Sequence, residues 1–511
     1  MRRTTIACLF LASLAEAQIA GWSIPTNAEG DTLIDGRHYH RITSDQLIAP
    51  IHQGRALHLE GVAVVGDLTI ARWADTLRAP IHLVDVHLES ELDLQNMTVT
   101  APLEVRRSTL AGGLRAQQTR FHSRVDLSET RFRRHVVLKS AVFTDSARFH
   151  NAQFDGILSL IGARFDGNAS FHGTTFSDGA YFEDARFSSV SFEDAIFESV
   201  ASFRRTRFTG ATRFDAARFY SESWFWNSVF TAPTSFDGIK VIADISFREI
   251  VAEREISFVK SSFVYPASFT GADFRAGCTF EAARFKRHAD LSKANFRGGV
   301  RLHSAFWRDL DLRGTRGRIE LQPPPPVAPG SPAEPVLTDS SRILLQGASA
   351  EVLRTRWAYL QGRLAADDSG EAGMDEVYAS LVSQFRAQGL DADAAACALH
   401  GLERRASALP WTRPGRWTHE FLWLTTGFGR QPERLVIWSL AVIALFATFL
   451  RFRDGFSWSG AVRRSAVCFL RFHPLGVSES TGSRGLLLLE CLLGWITMAL
   501  VAAVVAVRMI L

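Results

Sequence analysis

His38-Tyr39-His40 places two imidazoles on one side of a short strand, a spacing that could open a metal site. A bound metal needs three or four convergent ligands, so the pair reads as polar surface. Asp184 and Asp194 each follow a large apolar residue by two positions and read as surface carboxylates, not an acid–base pair. Gly427-Phe428-Gly429 lacks the strand and helix context of a nucleotide loop. Cys8, Cys278, Cys397, Cys468 and Cys491 are far apart and form no CxxC, which argues against a disulfide framework or a zinc site. No catalytic, cofactor-binding or metal-ligating residue is assigned, and the chain is expected not to be an enzyme. Two features remain. Trp224 and Trp226 flank Phe225, so an inward Phe225 turns both indoles outward, near Tyr220. Such a cluster suits a partner or membrane contact, or a covering loop. Glu490 lies near the start of a long apolar run. It is either a functional intramembrane carboxylate or a headgroup-level partner of Arg484.

The elements that carry these residues follow from a repeat. The chain has 38 Phe but only 6 Tyr, a bias that a compact globular core rarely needs. From about Leu83 to Leu302, large apolar residues recur at alternating steps of five and six: Phe143, Phe149, Phe154, Leu160, Phe165, Phe171, Phe176 and Phe182. Small residues, such as Ala141, Ala147, Ala152, Ala163 and Thr174, stand two positions before many of these centres. A spacing of two puts both on one side of a short strand, and a narrow interior accepts one large ring and one small side chain. Between Phe187, Phe192 and Phe197 the steps are five and five. One residue is missing there, which predicts a local irregularity.

The units Ala163-Arg164-Phe165-Asp166-Gly167 and Ala185-Arg186-Phe187-Ser188-Ser189 resemble those of the pentapeptide-repeat family. The resemblance implies a mainly β fold, a right-handed four-sided β-helix. About ten coils of about 22 residues would make a rod about 48 Å long at a strand spacing of about 4.8 Å. A left-handed hexapeptide helix would need a strict six-residue step. Some members of the family mimic DNA and bind topoisomerase, but the many arginines on this solenoid argue against that. The chain holds 57 Lys+Arg against 53 Asp+Glu, a net charge of +4 that is no nucleic-acid footprint.

The flanks are organised differently. Residues 1–17 read as a signal peptide: Arg2 and Arg3, an apolar core from Ile6 to Leu14, and Ala15-Glu16-Ala17 before the cut. Residues 18–82 read as a strand-rich N-terminal cap, followed by the β-helix at 83–321. Prolines cluster at 322–336 in an excursion or linker, and 337–365 could hold a last coil of the same stack. A helical linker is expected over 373–430, with Asp391 as the N-cap of its second helix.

Two transmembrane helices are expected within 435–511. Leu435 to Leu450 is an uncharged run at the short end for a span, and Gly485 to Val507 is the longer candidate. Ala499 with Ala503, and Ala502 with Ala506, suit close helix packing and a homo-oligomer. Tyr378-Ala379-Ser380-Leu381, Gly427-Phe428-Gly429-Arg430-Gln431-Pro432 and Arg484 to Trp495 resemble the ion-channel modules attached to bacterial pentapeptide-repeat proteins. The resemblance implies a pore-like loop at His473, Pro474, Leu475 and Gly476. A potassium filter needs a glycine-rich run of carbonyls, and His473-Pro474 departs from it. The reading is therefore a membrane-anchored scaffold presenting a rigid β-helix to a protein or envelope partner, with an ion-channel-like protein regulated by its β-helix as the alternative. The signal peptide points to the inner membrane with the β-helix outside the cytoplasm. Arg451, Arg453, Arg463, Arg464, Arg471 and Arg484 between the spans would then lie inside. A channel-type pore implies the opposite orientation.

Overall fold

The structure is a computed structural model. It describes residues 18–19, 22–23, 32–34, 36–72, 74–303, 306–321, 341–367, 371–417, 420–421, 433–471, 488–497 and 499. The chain divides into two units, Met1–Gln388 and Gly389–Leu511.

The first unit is a parallel β-solenoid. Its strands are mostly two residues long, because each face of the coil holds only one small residue, one outward residue and one centre. Thr109–Leu110, Leu114–Arg115, Arg120–Phe121 and Val125–Asp126 form one turn of four strands. Each pairs with the strand 22 residues later: Leu110 with Phe132, Leu114 with Val136, Phe121 with Phe143, Val125 with Ala147. This register stacks like residues on like. Phe121, Phe143, Phe165, Phe187, Phe208 and Phe230 form one column, with ring centroids 4.8, 4.5, 4.8, 5.6 and 4.7 Å apart. Parallel columns start at Phe132, Phe149 and Phe182. Rings of different columns meet edge to face, as Phe182 does Phe192 at 86°. Strand spacing sets the stacked distance, and the edge-to-face contacts add the favourable quadrupole geometry. The centres and the alanines before them are 0–1 % exposed from Phe143 to Phe165.

The five-residue corners carry a left-handed residue. Asp85, Asn96, Arg107, Gln118, Glu129, Ser140 and Asn151 have φ between 50° and 59°, each two positions after a centre. Left-handed backbone costs a non-glycine residue roughly 1–2 kcal/mol. The turn that imposes it is closed by hydrogen bonds such as Ala141 N–H to the Leu138 carbonyl, 3.0 Å. At several small interior positions occupied by Thr or Ser, the hydroxyl donates to a centre carbonyl of the preceding turn. Thr119 reaches Leu94, Thr130 reaches Val105 and Thr174 reaches Phe149, all at 2.7 Å. That satisfies a buried polar group which would otherwise cost about 1–3 kcal/mol.

The missing residue has the expected effect. Phe165 pairs with Phe187, but Ala169 pairs with Val190, so the register shifts between them. The Phe187–Phe208 stack beyond it is the widest of its column, at 5.6 Å. A second shift occurs between Phe285 and His288.

Parallel pairing begins before Leu83. Arg37–Thr43 pairs with Val62–Val65, and Leu57–Glu60 with Ile81–Val84. Helix α1, Asp45–His52, buries Leu47 and Ile51. At the other end Arg342–Leu344 pairs with Phe306–Asp311, and Ser349–Arg354 with Arg316–Glu320. The ladder therefore resumes after the proline cluster, which itself lies outside the described residues. A short helix α2, Trp357–Leu360, precedes α3, Glu371–Ala387. An open strand edge invites aggregation. Here α3 covers it: Gln384 Nε2 donates to the Ala350 carbonyl (2.8 Å), Gln384 Oε1 accepts from Leu353 N–H (3.3 Å), and Gln388 Nε2 donates to the Leu353 carbonyl (2.8 Å).

The second unit is helical. Helix α4 spans Asp391–Ser407, and its N-cap is Leu390, not Asp391. Asp391 sits in the first turn, where its charge still favours the helix dipole. Helices α5, Glu433–Asp454, and α6, Trp458–Arg471, pack with α7, Leu488–Thr497, around Ala447, Leu450, Ala461, Cys468 and Cys491. Among the described residues one helix is long and apolar enough to cross a membrane, α5, over Glu433–Arg453. The run expected to be the weaker span is thus the longer helix among the described residues, since it continues through its flanking charges. Of the other, α7 describes ten residues.

Candidate interaction face and helical core

The outward positions of a solenoid face form columns just as the inward ones do. On one face the pairing aligns Ser202, Trp224, Ser246 and Ser268, then Asp290 and Asp311. Trp224 and Trp226 are half-buried, with ring centroids 6.1 Å apart. The Arg204 guanidinium lies 5.6 Å from the Trp224 centroid and 3.3 Å from Glu183. The Trp226 indole N–H is buried without a hydrogen-bond partner among the described residues. Tyr220 is 47 % exposed at the preceding corner.

Trp224 forms one end of a groove of about 230 Å³. Ser246, Ala267 and Ser268 are small enough to leave the space open, and His288 and Asp290 close the far end. Tyr220 does not line it. Asp290 is held below the usual carboxylate range. Burial works to raise it, but hydrogen bonds from Ser292 and Thr270 and the nearby His288 prevail. Sequence reasoning found the tryptophans from local alternation but missed His288, Asp290 and Asp311. Reading outward residues in steps of about 22, as was done for the inward ones, is the signal that could have found them.

Acid–arginine pairs link exposed positions on successive turns. Asp184 accepts two hydrogen bonds from Arg205 at 2.8 Å, and Asp85 two from Arg107 at 3.1 and 3.3 Å. The Arg205 bond holds Asp184 below its ordinary range. Asp194, the other carboxylate weighed as an acid–base partner, occupies the equivalent left-handed corner, φ 55°. His38 and His40 alternate with Tyr39 on the strand Arg37–Thr43, which pairs with Thr32–Ile34 on one side and Val62–Val65 on the other.

In the helical unit Glu490 is fully buried. Ser465 hydrogen-bonds its Oε1 and reaches the Ile443 carbonyl at 2.9 Å; among the described residues Glu490 Oε2 has no hydrogen-bond partner. The partner expected from sequence, Arg484, lies outside the described residues, as do residues 1–17, 322–336 and the pore-like loop at His473, Pro474, Leu475 and Gly476. Gly494 permits this packing, since a Cβ there would fall 2.3 Å from the Phe469 carbonyl oxygen. The outer surface of α5 is apolar: Ile437 is 64 % and Leu445 68 % exposed, and only 22 % of the apolar window is buried.

The family model for pentapeptide repeats (9 copies) matches residues 116–164, 160–206, 192–240 and 258–305. These segments fall within the ring-stacked part of the solenoid. No curated protein and no solved structure matches the chain.

Proposed function

We propose that this chain, a pentapeptide-repeat β-solenoid, is a non-enzymatic scaffold held at a membrane, presenting its rigid faces to a protein or envelope partner. The observation that carries the reading is the surface of α5. Its apolar side chains face outward, as they do in a helix whose surroundings are lipid. A core helix of a soluble protein would bury most of that surface. The four ring columns support a four-sided cross-section, and the family resemblance adds right-handed winding. The expected place is a bacterial inner membrane, with the β-helix extracytoplasmic and a second span completing the anchor. Trp224 and Trp226, with Tyr220 at the neighbouring corner, are the proposed contact residues.

The test is fractionation of the full chain, followed by alkaline carbonate washing and thiol labelling of an Arg218→Cys variant in intact cells. Arg218 is an exposed strand residue. Carbonate-resistant membrane association and labelling from the periplasm are expected. Complete release by carbonate would remove the anchor, and labelling only after lysis would reverse the orientation.

The Ser465–Glu490 pair favours a second reading, an ion-channel-like protein. Conductance in purified bilayers that changes in Glu490→Gln would support it; silent bilayers would leave the scaffold.

A further inference from the structure

We infer that His288, Asp290 and Asp311 form a binding site for a divalent transition-metal ion at the closed end of the Trp224 groove. One ligand atom from each residue lies within 4.8 Å of the others. The three come from two successive turns. His288 and Asp290 belong to the strand Arg284–Asp290, and Asp311 ends the neighbouring strand Phe306–Asp311. Their convergence depends on the second register shift. Phe285 stands opposite Trp307, 22 residues on, whereas His288 stands opposite Asp309 and Asp290 opposite Asp311. The dropped residue re-aims the backbone at His288, as bulges beside functional sites do.

The chemistry of the cluster calls for a cation. Asp290 and Asp311 are direct neighbours on parallel strands, where like charges repel. Asp311 is only 2 % exposed. Arg313 answers part of this charge by gripping Asp311 at 2.7 and 3.0 Å. Asp290 accepts from Thr270 at 2.6 Å and from Ser292 N–H at 2.9 Å; the charge of Arg313 reaches it, but among the described residues no arginine or lysine pairs with it directly. These bonds fix both carboxylates as the outer partners of metal ligands do. One imidazole nitrogen with two carboxylates suits zinc, manganese or cobalt better than calcium, which prefers oxygen alone. Three protein ligands leave coordination positions open, and the groove lined by His288 and Asp290 gives room for them.

The test uses the full chain, purified in detergent and stripped with a chelator. Calorimetry with Zn²⁺ should show one strong site. His288→Ala and Asp290→Asn should each weaken it at least tenfold, while Asp309→Asn leaves it unchanged. Co²⁺ loading should give a visible ligand-field spectrum that His288→Ala abolishes. His288 and Asp290 are half-buried and lie outside the ring core, so both variants should keep a melting temperature close to wild type in the absence of metal. Absence of stoichiometric binding overturns the site. So does binding that survives His288→Ala, because the metal is then held elsewhere, as at His38 and His40.

Discussion

The two units solve burial in opposite ways. In the solenoid the Phe rings point inward and are all but inaccessible, while the outward rows are mostly charged, polar or small, with Trp224, Trp226 and Tyr220 among the exceptions. In the helical unit small and polar residues, Ala447, Ala461, Cys468 and the Ser465–Glu490 pair, share the inside with Leu450 and Phe469, while large apolar residues such as Ile437, Leu440 and Leu445 face out. One chain thus carries two distributions of polarity. Water selects the first, and the second is what the proposed membrane anchor requires. The difference shows that composition averaged over a chain hides its segregation: a near-neutral overall hydropathy is the sum of two opposed surfaces.

Four tests, using six substitutions, probe this contrast. The largest effect is expected at the centre of the ring columns. Phe192→Ala should cost about 3–5 kcal/mol by denaturant unfolding, the usual range for a buried ring. Leu445→Ala on the outside of α5 should leave solenoid unfolding untouched. If both changes weigh equally, the inside–outside distinction fails. Next, Leu445→Arg should raise the cost of membrane insertion by about 2.5–3.5 kcal/mol, read as loss of carbonate-resistant protein. Ile242→Arg, on the exposed solenoid surface, should move stability by no more than about 0.5 kcal/mol. Third, Thr174→Val keeps the shape of an interior position but deletes its bond to the Phe149 carbonyl. About 1 kcal/mol of lost stability is expected, and no loss would mean that shape alone matters there.

The smallest effect belongs to the surface pair Asp184–Arg205. Asp184 is half-exposed, so solvent screening limits the pair to under about 1 kcal/mol. Its folded pKa lies below the ordinary 3.8. The pair therefore contributes above pH 3.8 and loses its contribution as the pH falls through the lower folded value. Asp184→Asn should flatten that acid limb and remove its salt dependence. An unchanged acid limb would mean that other carboxylates govern it.

Much of the solenoid was legible because its code is local and repeated. Phe165 and Ala163 announce one face, and the five-and-five step at Phe192 announced the register shift. The early start of pairing at Arg37–Thr43 was not legible, since that segment fills its strands with His, Tyr and Ile instead of the Phe and Ala phase. The role of α3 was not legible either. Gln384 is an ordinary helix residue, and Gln388 an ordinary residue just past the helix end, until a strand edge lies beside them. The groove escaped for a related reason. Trp224 and His288 are three turns apart in sequence, and only the stack makes them ends of one feature. Glu490 drew notice for its charge in an apolar run, but its partner Ser465 lies in another helix.

The constant step of about 22 residues between paired strands also bears on how the chain reaches its fold. Most all-β proteins must close long, varied loops before any sheet contact forms, which slows them. Here each new turn needs only the turn before it as a template. Growth can run in one direction, beginning at the turn built on Arg37–Thr43 and adding one coil at a time as the chain becomes free. A translocating or nascent chain could zip up this way without waiting for its C-terminus, and the strand edge would stay exposed to misassembly until α3 arrives to close it.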